Sequence, residues 1–214
     1  ERIVRALTNE EKILIYGDYD VDGITATALL TVFLRNRKGK VSYYIPDRLE
    51  EGYGLNPQAL QQAKANGTGL IITVDCGISA LQEADFARKI GLDLVITDHH
   101  QPPPELPQAV AVINPKLAPG EHPWSVLAGV GVAFKLAQAV CKLQGEEHHC
   151  EELLDLVALG TVADIVPLRE ENRILVKEGL KRITALKRPG VQALLNVAGL
   201  KTEQISAGQV GFVL

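Results

Sequence analysis

The chain has 214 residues, enough for one large α/β domain or a domain with a small appendage, and its 46 % hydrophobic and 22 % charged residues are ordinary for a globular protein. Its apolar runs are strand-sized, far below the roughly 20 residues of a membrane helix. The net charge of −4 argues against a protein that coats nucleic acid through phosphate contacts, because such proteins are usually basic. It argues less against a metal-dependent nuclease, which needs carboxylates to hold its cations.

Two features concern the compartment and the extent of the chain. Cys76, Cys141 and Cys150 are too few and too scattered for a disulfide framework, so we expect a reducing, cytoplasmic setting. The chain contains no Met, and its last residues, Val210–Leu214, are apolar. We therefore expect a piece of a longer protein.

The first half alternates between short apolar runs and helical patterns. Strands are predicted at Lys12–Gly17, Val41–Ile45, Leu70–Val74, Leu94–Thr97 and Ala109–Ile113. Helices are predicted between them at Ile24–Arg37, Asn56–Asn66 and Ser79–Ile90. Asn56 and Ser79 are the expected N-caps of the last two. This order predicts an α/β fold with a parallel five-stranded sheet and helices on both faces.

The second half shows only helical patterns from Trp124 onward. The predicted helices are Val126–Leu143, Glu151–Ala163, Arg173–Ala185 and Val191–Ala198. We therefore expect one catalytic domain in two parts, a sheet part over residues 1–115 and a helical part over residues 116–214.

The first strand runs directly into three carboxylates at alternate positions. Asp18, Asp20 and Asp22 follow a strand predicted to be central, and their mutual repulsion calls for a nearby cation. An acidic cluster that caps the next helix is the alternative. The segment therefore indicates a cation site without establishing one.

Strands three and four also end in polar groups. Asp75 follows the third strand, and Asp98, His99 and His100 follow the fourth. Asp75 alone would suit an ordinary helix entry, but ligands of parallel sheets sit beyond the carboxyl ends of the strands, where all these residues converge. Carboxylates with a few imidazoles suit Mn²⁺ or Mg²⁺, and this many can hold two ions about 4 Å apart for phosphoryl displacement.

One more carboxylate stands out in the helical half. Asp164 lies within an otherwise apolar run that ends at Pro167. A buried carboxylate needs a partner, so Asp164 either joins the acidic cluster or caps the next turn. The sequence favours neither.

Four segments carry a resemblance to a known family. They are D-Y-D-V-D-G, V-D-C-G-I, T-D-H-H and G-T-V-A-D-I-V-P-L, which look like the successive motifs of the DHH phosphoesterases. Their spacing, together with Glu51–Leu55, Ile113–Pro115 and Ala128–Phe134, resembles the RecJ exonucleases of that superfamily. The resemblance covers nearly the whole chain.

The resemblance implies an enzyme that uses Mn²⁺ or Mg²⁺ to degrade single-stranded DNA from its 5′ end to 5′-mononucleotides, in recombination and repair. It implies single-strand-binding protein and a recombination helicase as partners, and no membrane. The implied metal ligands are Asp20, Asp22, Asp75, His99 and Asp164, with Asp75 as the bridge and Asp18 as a further ligand or a supporting group. His100 is expected beside the scissile phosphate, with Asp98 orienting the histidines.

The sequence departs from the family pattern in two ways. Cys76 stands where the family usually has Asn, which leaves the role of that Asn in doubt. The family also has a second domain with a Gly-Gly-Gly-His-type motif, and we expect that domain downstream of this chain. Without it, half of the substrate groove is missing.

Other functions are compatible with parts of this pattern. A manganese pyrophosphatase or an oligonucleotide phosphatase would share the metal site, but those usually carry His at the place of Tyr16. A Cdc45-like scaffold would lose ligands that are all present here. Arg48 is a candidate phosphate contact, or else a surface partner of Glu50 or Glu51.

Two weaker candidates complete the set. His148 and His149 could hold a metal, although an exposed connection is more typical of their surroundings. The basic residues of the last helices form either a solvated face or a DNA-backbone contact; they are Lys177, Lys181, Arg182, Lys187 and Arg188.

Overall fold

The computed structural model describes residues 1–120, 122–146, 150–185, 188–200 and 205–213. Its strands are β1 (Lys12–Tyr16), β2 (Lys40–Tyr44), β3 (Thr68–Val74), β4 (Asp93–Thr97) and β5 (Ala111–Ile113). They form one parallel sheet in the order β2-β1-β3-β4-β5, so the predicted five-stranded sheet is confirmed. The candidates His148, His149 and Lys187 lie outside the described residues.

The inner strands are buried on both faces. In β1, Ile13 and Ile15 join one core, while Leu14 and Tyr16 join a second core across the sheet. The first core contains α2 (Val21–Asn36), α5 (Gly129–Leu143) and the short α1 (Arg2–Thr8). The second contains α3 (Pro57–Ala65) and α4 (Leu81–Lys89). Apolar residues at consecutive positions are required because side chains alternate between two covered faces.

Several predicted helix boundaries need correction. Asn56 caps α3 as predicted, since its side chain accepts a hydrogen bond from the backbone N–H of Ala59. Ser79 does not cap α4, because the chain first makes a turn and the helix starts only at Leu81. The helix predicted from Glu151 begins as a 3₁₀ turn over Glu151–Leu153.

The later described elements are helical, as expected from the patterns. They are α6 (Leu154–Ala163), α7 (Glu170–Thr184), α8 (Pro189–Val197) and α9 (Ala207–Val213), which share a third core. The sequence patterns missed α1 and α9, each seven residues long, because so short a helix shows little periodicity. None of the helices in the described ranges combines the length and the apolar character needed to cross a membrane.

Candidate metal centre

The side chains that follow β1, β3 and β4 meet at one edge of the sheet. These strands are neighbours, so their carboxyl ends open onto one site. Three groups of side chains bring ligand atoms within 4.8 Å of one another: Asp75 with His99 and His100, Asp22 with His99 and Asp164, and Asp18 with Asp20 and Asp75. Each of the six metal ligands predicted from the sequence belongs to at least one group.

Asp75 lies at the centre of this cluster and belongs to two of the groups. Its backbone is left-handed, with φ of 61°, a conformation that Asp tolerates better than most residues. Both of its carboxylate oxygens are buried and accept no hydrogen bond from the protein. A buried carboxylate with two free oxygens is costly unless a cation completes it.

Two further atoms at the site lack a hydrogen-bond partner. They are Nε2 of His99 and Oδ2 of Asp164, both buried. His99 Nε2 lies 3.1 Å from Asp75 Oδ1, 3.7 Å from Asp164 Oδ2 and 3.8 Å from Asp22 Oδ2. Asp164 therefore points into the cluster, which favours the first of its two possible roles. This donor set of carboxylate oxygens and imidazole nitrogen fits Mn²⁺ or Mg²⁺.

Asp22 is fixed by the beginning of α5. Its Oδ2 accepts a hydrogen bond from the backbone N–H of Gly129 at 2.6 Å, and its Oδ1 accepts one from Val130 at 2.8 Å. The free N–H groups and the positive end of the dipole at a helix N-terminus favour such an anion. The segment Ala128–Phe134 thus has a positional role that the sequence motif alone did not reveal.

Two glycines allow helices to approach the carboxylates this closely. A Cβ atom at Gly129 would lie 2.6 Å from the Cβ and Oδ1 atoms of Asp75. A Cβ atom at Gly160 of α6 would lie 2.8 Å from Oδ1 of Asp22 and 2.3 Å from Oγ1 of Thr25. Both positions therefore exclude larger residues because the cluster is packed against them.

Burial and mutual repulsion make the ionised cluster unfavourable by itself. Burial, followed by the charge of Asp75, raises the pKa of Asp22 to about 8. Burial, followed by the charge of Asp20, raises the pKa of Asp75 to about 9. Burial also raises the pKa values of Asp164 and Asp18. A cation would reverse these shifts by favouring the charged forms.

Asp98 supports the two histidines from behind. Its Oδ1 accepts hydrogen bonds from the backbone N–H groups of His99 and His100, and its Oδ2 accepts one from Ile78. It also lies 2.8 Å from Nδ1 of His100, a contact that outweighs burial and raises the pKa of His100 to about 9. Asp98 thereby orients the His100 ring and leaves Nε2 free for another partner.

Sequence reasoning missed Tyr53. Its hydroxyl donates to the backbone oxygen of Asp75 at 3.2 Å and lies 3.2 Å from Nδ1 of His100. Gly52 and Gly54 flank it with φ values of 78° and 89°. This pair of glycines around an aromatic residue is the signal that could have indicated a shaped loop at the site.

Arg48 is exposed and lies beside the first acidic loop. Its guanidinium carbon is 5.3 Å from the centre of the Tyr19 ring, a cation–π distance. Within the described ranges Arg48 forms no ion pair, so the surface pairing with Glu50 or Glu51 is not seen. Its position next to Tyr19 makes it available to a ligand.

Asp20 and Cys76 each make a contact outside the group of ligand atoms. Asp20 is exposed and its Oδ1 accepts a hydrogen bond from Gly23, so it caps α2 while also facing the cluster. The capping alternative for the acidic loop is therefore correct for this one residue. Cys76 is fully buried, and its Sγ lies 3.8 Å from the backbone oxygen of Tyr16. It belongs to the second core.

Comparisons with known proteins agree on the family. The model of the DHH family, N-terminal domain, matches residues 12–161. The chain is 48 % identical, over its whole length, to the single-stranded-DNA-specific exonuclease RecJ of Bacillus subtilis and to that of Dickeya dadantii. It spans only 27 % and 39 % of those two proteins.

Solved structures give the same result. A crystal structure of exonuclease RecJ bound to manganese is 37 % identical and matches with a TM-score of 0.90, covering 99 % of this chain and 53 % of that one. A RecJ structure with Mn²⁺ from Thermus thermophilus is 34 % identical, with a TM-score of 0.84, covering 99 % of this chain and 30 % of that one. The family model and the strand-end motifs together show that the chain belongs to the DHH family.

Proposed function

We propose that this chain carries the divalent-metal centre of a phosphodiesterase that shortens single-stranded DNA from the 5′ end, releasing 5′-mononucleotides in recombination and repair. The observation that carries the proposal is the cluster of four buried ligand atoms without hydrogen-bond partners, on Asp75, His99 and Asp164. The substrate and the reaction are inferred from the RecJ relatives, which are named single-stranded-DNA-specific exonucleases.

The ligand set is large enough for two ions of Mn²⁺ or Mg²⁺. The proposed ligands are Asp20, Asp22, Asp75, His99 and Asp164, with Asp75 shared between the ions and Asp18 as a further ligand or supporting group. When bound, such ions activate the attacking water and stabilise the charge on the phosphoryl oxygens. The chain's own contribution is to hold the carboxylates in place, through α5 for Asp22 and the left-handed turn for Asp75.

His100 and Arg48 are proposed to act on the DNA itself. Hydrogen-bonded to Asp98, a protonated His100 can donate from Nε2 to an oxygen of the scissile phosphate. Half of its side chain is exposed, so a ligand can reach it. Arg48, on the Tyr19 ring, would bind a second phosphate of the same strand.

We further propose that a downstream domain supplies the second wall of the DNA groove. A nuclease that threads a single strand needs stacking and phosphate contacts over several nucleotides. This chain is acidic and only 5 % aromatic, and its relatives are much longer. The partners proposed for the whole protein are single-strand-binding protein and a recombination helicase, and its proposed location is the cytoplasm, which suits three free thiols.

Calorimetric titration with Mn²⁺ tests the metal centre directly. We expect about two ions per chain, as in two-metal phosphodiesterases. The reaction is tested in parallel with single-stranded DNA labelled on its 5′-terminal nucleotide, for this chain and for the longer protein. A labelled 5′-mononucleotide should be the first product, and the same sequence as a blunt duplex should be resistant. No Mn²⁺ binding, or first release from the 3′ end, would contradict the respective half of the proposal.

The second wall is tested by comparing the two proteins. The longer protein should bind long single strands far more tightly than this chain, with little change in the single-turnover rate on short ones. Equal affinity of the two for long strands would overturn the second-wall proposal and leave the metal centre untouched.

A further inference from the structure

A pair of cysteines lies in the first core, at the end of α5 away from its Asp22 contact. Cys141 and Cys150 are 2 % and 6 % exposed, and their sulfur atoms are 2.9 Å apart. A disulfide needs about 2.05 Å, so bonding requires an approach of about an ångström. Both cysteines are free thiols in the structure.

A fixed cation distinguishes this pair from an inert buried contact. Nη2 of Arg37 lies 3.1 Å from Sγ of Cys141 and 2.7 Å from a carboxylate oxygen of Glu146. The same guanidinium lies 3.9 Å from the centre of the Phe33 ring, which holds it in place. Reactive cysteines are typically found in such surroundings, beside an arginine or a lysine.

The two thiols differ in their contacts, because the hydrogen bond from Arg37 is made to Cys141. Burial, followed by the hydrogen bond to Cys141, raises the pKa of Cys150 to about 12. Cys150 thus keeps its proton and can donate it towards Cys141, the sulfur that faces the cation. A nucleophilic sulfur beside a resolving thiol is the arrangement found in cysteines that peroxides oxidise reversibly.

A cavity comes close to this pair, and although neither cysteine lines it, Arg37 connects the cavity wall to Cys141. The cavity has a volume of about 600 Å³, and its walls include Arg37, Gln144, Glu146 and Glu151. A peroxide, which is uncharged and as small as two waters, is the kind of oxidant that fits this cavity.

We propose that Cys141 and Cys150 form a reversible oxidation site, which a peroxide converts to an intramolecular disulfide. The Cys141 thiolate attacks a peroxide oxygen, the O–O bond breaks, and the released hydroxide takes a proton to leave as water. The Cys150 sulfur then attacks the resulting sulfenic acid, the S–O bond breaks, and a second water leaves. The two thiols lose two electrons and two protons, and the peroxide is reduced to two waters.

The bond would join the end of α5 to the 3₁₀ turn that precedes α6. It closes a short loop, so it should stabilise the chain moderately by restricting the unfolded state. Cys76 serves as an internal control, because it is also buried but, among the described residues, no arginine is hydrogen-bonded to its sulfur.

The test is mass spectrometry after brief treatment of the 214-residue chain with hydrogen peroxide, followed by alkylation in denaturant. The reduced chain should take three alkyl groups, and the oxidised chain one, on Cys76, with a linked Cys141–Cys150 peptide that dithiothreitol releases. The proposal would be overturned by any of three results: three alkyl groups after treatment, oxidation of Cys76 as fast as that of Cys141 and Cys150, or sulfinic acid in place of the disulfide.

A charge variant tests the role of the arginine. Arg37→Gln should slow disulfide formation about tenfold. Lys142→Gln removes an equal charge from an exposed position next to Cys141 that is not among the residues lining the cavity, and it should leave the rate unchanged. Circular dichroism checks that both variants fold. If Arg37→Gln is folded and oxidises as fast as the parent, or if both variants slow it equally, activation by this guanidinium is wrong.

Discussion

The charged side chains at the two ends of the central strands differ in how they are paired. At the amino ends, Arg2 lies 2.6 Å from Asp93 and 2.5 Å from Glu11, so one guanidinium neutralises carboxylates that flank β4 and β1. At the carboxyl ends, the cluster around Asp75 has no Lys or Arg partner among the ion pairs of the described residues. At the first end the opposite charges are paired within the chain, although Nη1 of Arg2 has no hydrogen-bond partner, whereas at the second end the buried carboxylates have no cationic side chain to balance them. This difference separates a structural charge network from a binding site more clearly than the number of acidic residues does.

The largest effect is expected from Asp75→Asn, which would disrupt the acidic cluster at the carboxyl ends of the strands. Asn tolerates the left-handed backbone, and the change removes a shared ligand together with one repulsive charge. Hydrolysis with Mn²⁺ should fall by at least about a thousandfold. The melting temperature without metal should hold or rise. Asp85→Asn, which changes a partly exposed side chain on α4, is the control for lost charge. Mn²⁺ affinity and turnover near the parent values would remove Asp75 from the centre.

The second effect is smaller and comes from Gly129→Ala. The added methyl group must displace the Asp75 carboxylate, so Mn²⁺ affinity should fall by about 10- to 100-fold, as for losses of supporting groups around metals. Gly131→Ala is the matched control in the same helix, because the three atoms nearest to its Cβ are side-chain atoms of Leu127, at 3.1–3.6 Å. Calorimetry gives the affinity of each variant. An equal loss in both would point to general damage to α5.

A third change tests the amino ends. Arg2→Met should destabilise the chain by about 1–2 kcal/mol, because it leaves Glu11 and Asp93 facing each other with partial solvent access. Since these charges are paired with one another and include none of the proposed metal ligands, the loss should be the same with and without Mn²⁺. Urea unfolding under both conditions measures it. A loss of stability that appears only with Mn²⁺ would mean that the amino-end ion pairs and the metal cluster depend on each other, contrary to the difference drawn between the two ends.

The smallest effect concerns Arg48, beside the first acidic loop. Arg48→Ala should lower the salt dependence of single-strand binding by roughly one phosphate contact and leave Mn²⁺ affinity unchanged. Arg88→Ala, an exposed arginine of α4, controls for the change in net charge. Fluorescence titrations at several salt concentrations give the slopes. The same slope for the parent and Arg48→Ala would assign Arg48 to the surface.

The sequence predicted the strand ends well because the physics there is local. A strand buried on both faces is a continuous apolar run. The polar residue that follows it must therefore lie just beyond the carboxyl end of the strand, as Asp75 and Asp98 do. The support of Asp22 could not be predicted, since its donors are backbone groups with no side-chain signature. The need for glycine at position 129 could not be predicted either, because it arises from the close approach of Asp75, which is distant in the sequence. Ser79 was predicted wrongly since a good capping residue does not by itself decide where a turn becomes a helix.

The contact between Asp22 and α5 has a consequence for folding. The hydrogen bond from Gly129 joins residues 107 positions apart, and Asp164 enters the cluster from still later in the chain. Such long-range closures form late, because the entropy of the intervening loop is lost before the contact repays it. During synthesis, which proceeds from the N-terminus, the sheet can therefore form while its carboxylates still lack both the α5 donors and the last ligand. The nascent chain should acquire tight cation binding, and with it any ability to cut DNA, only after α6 has left the ribosome.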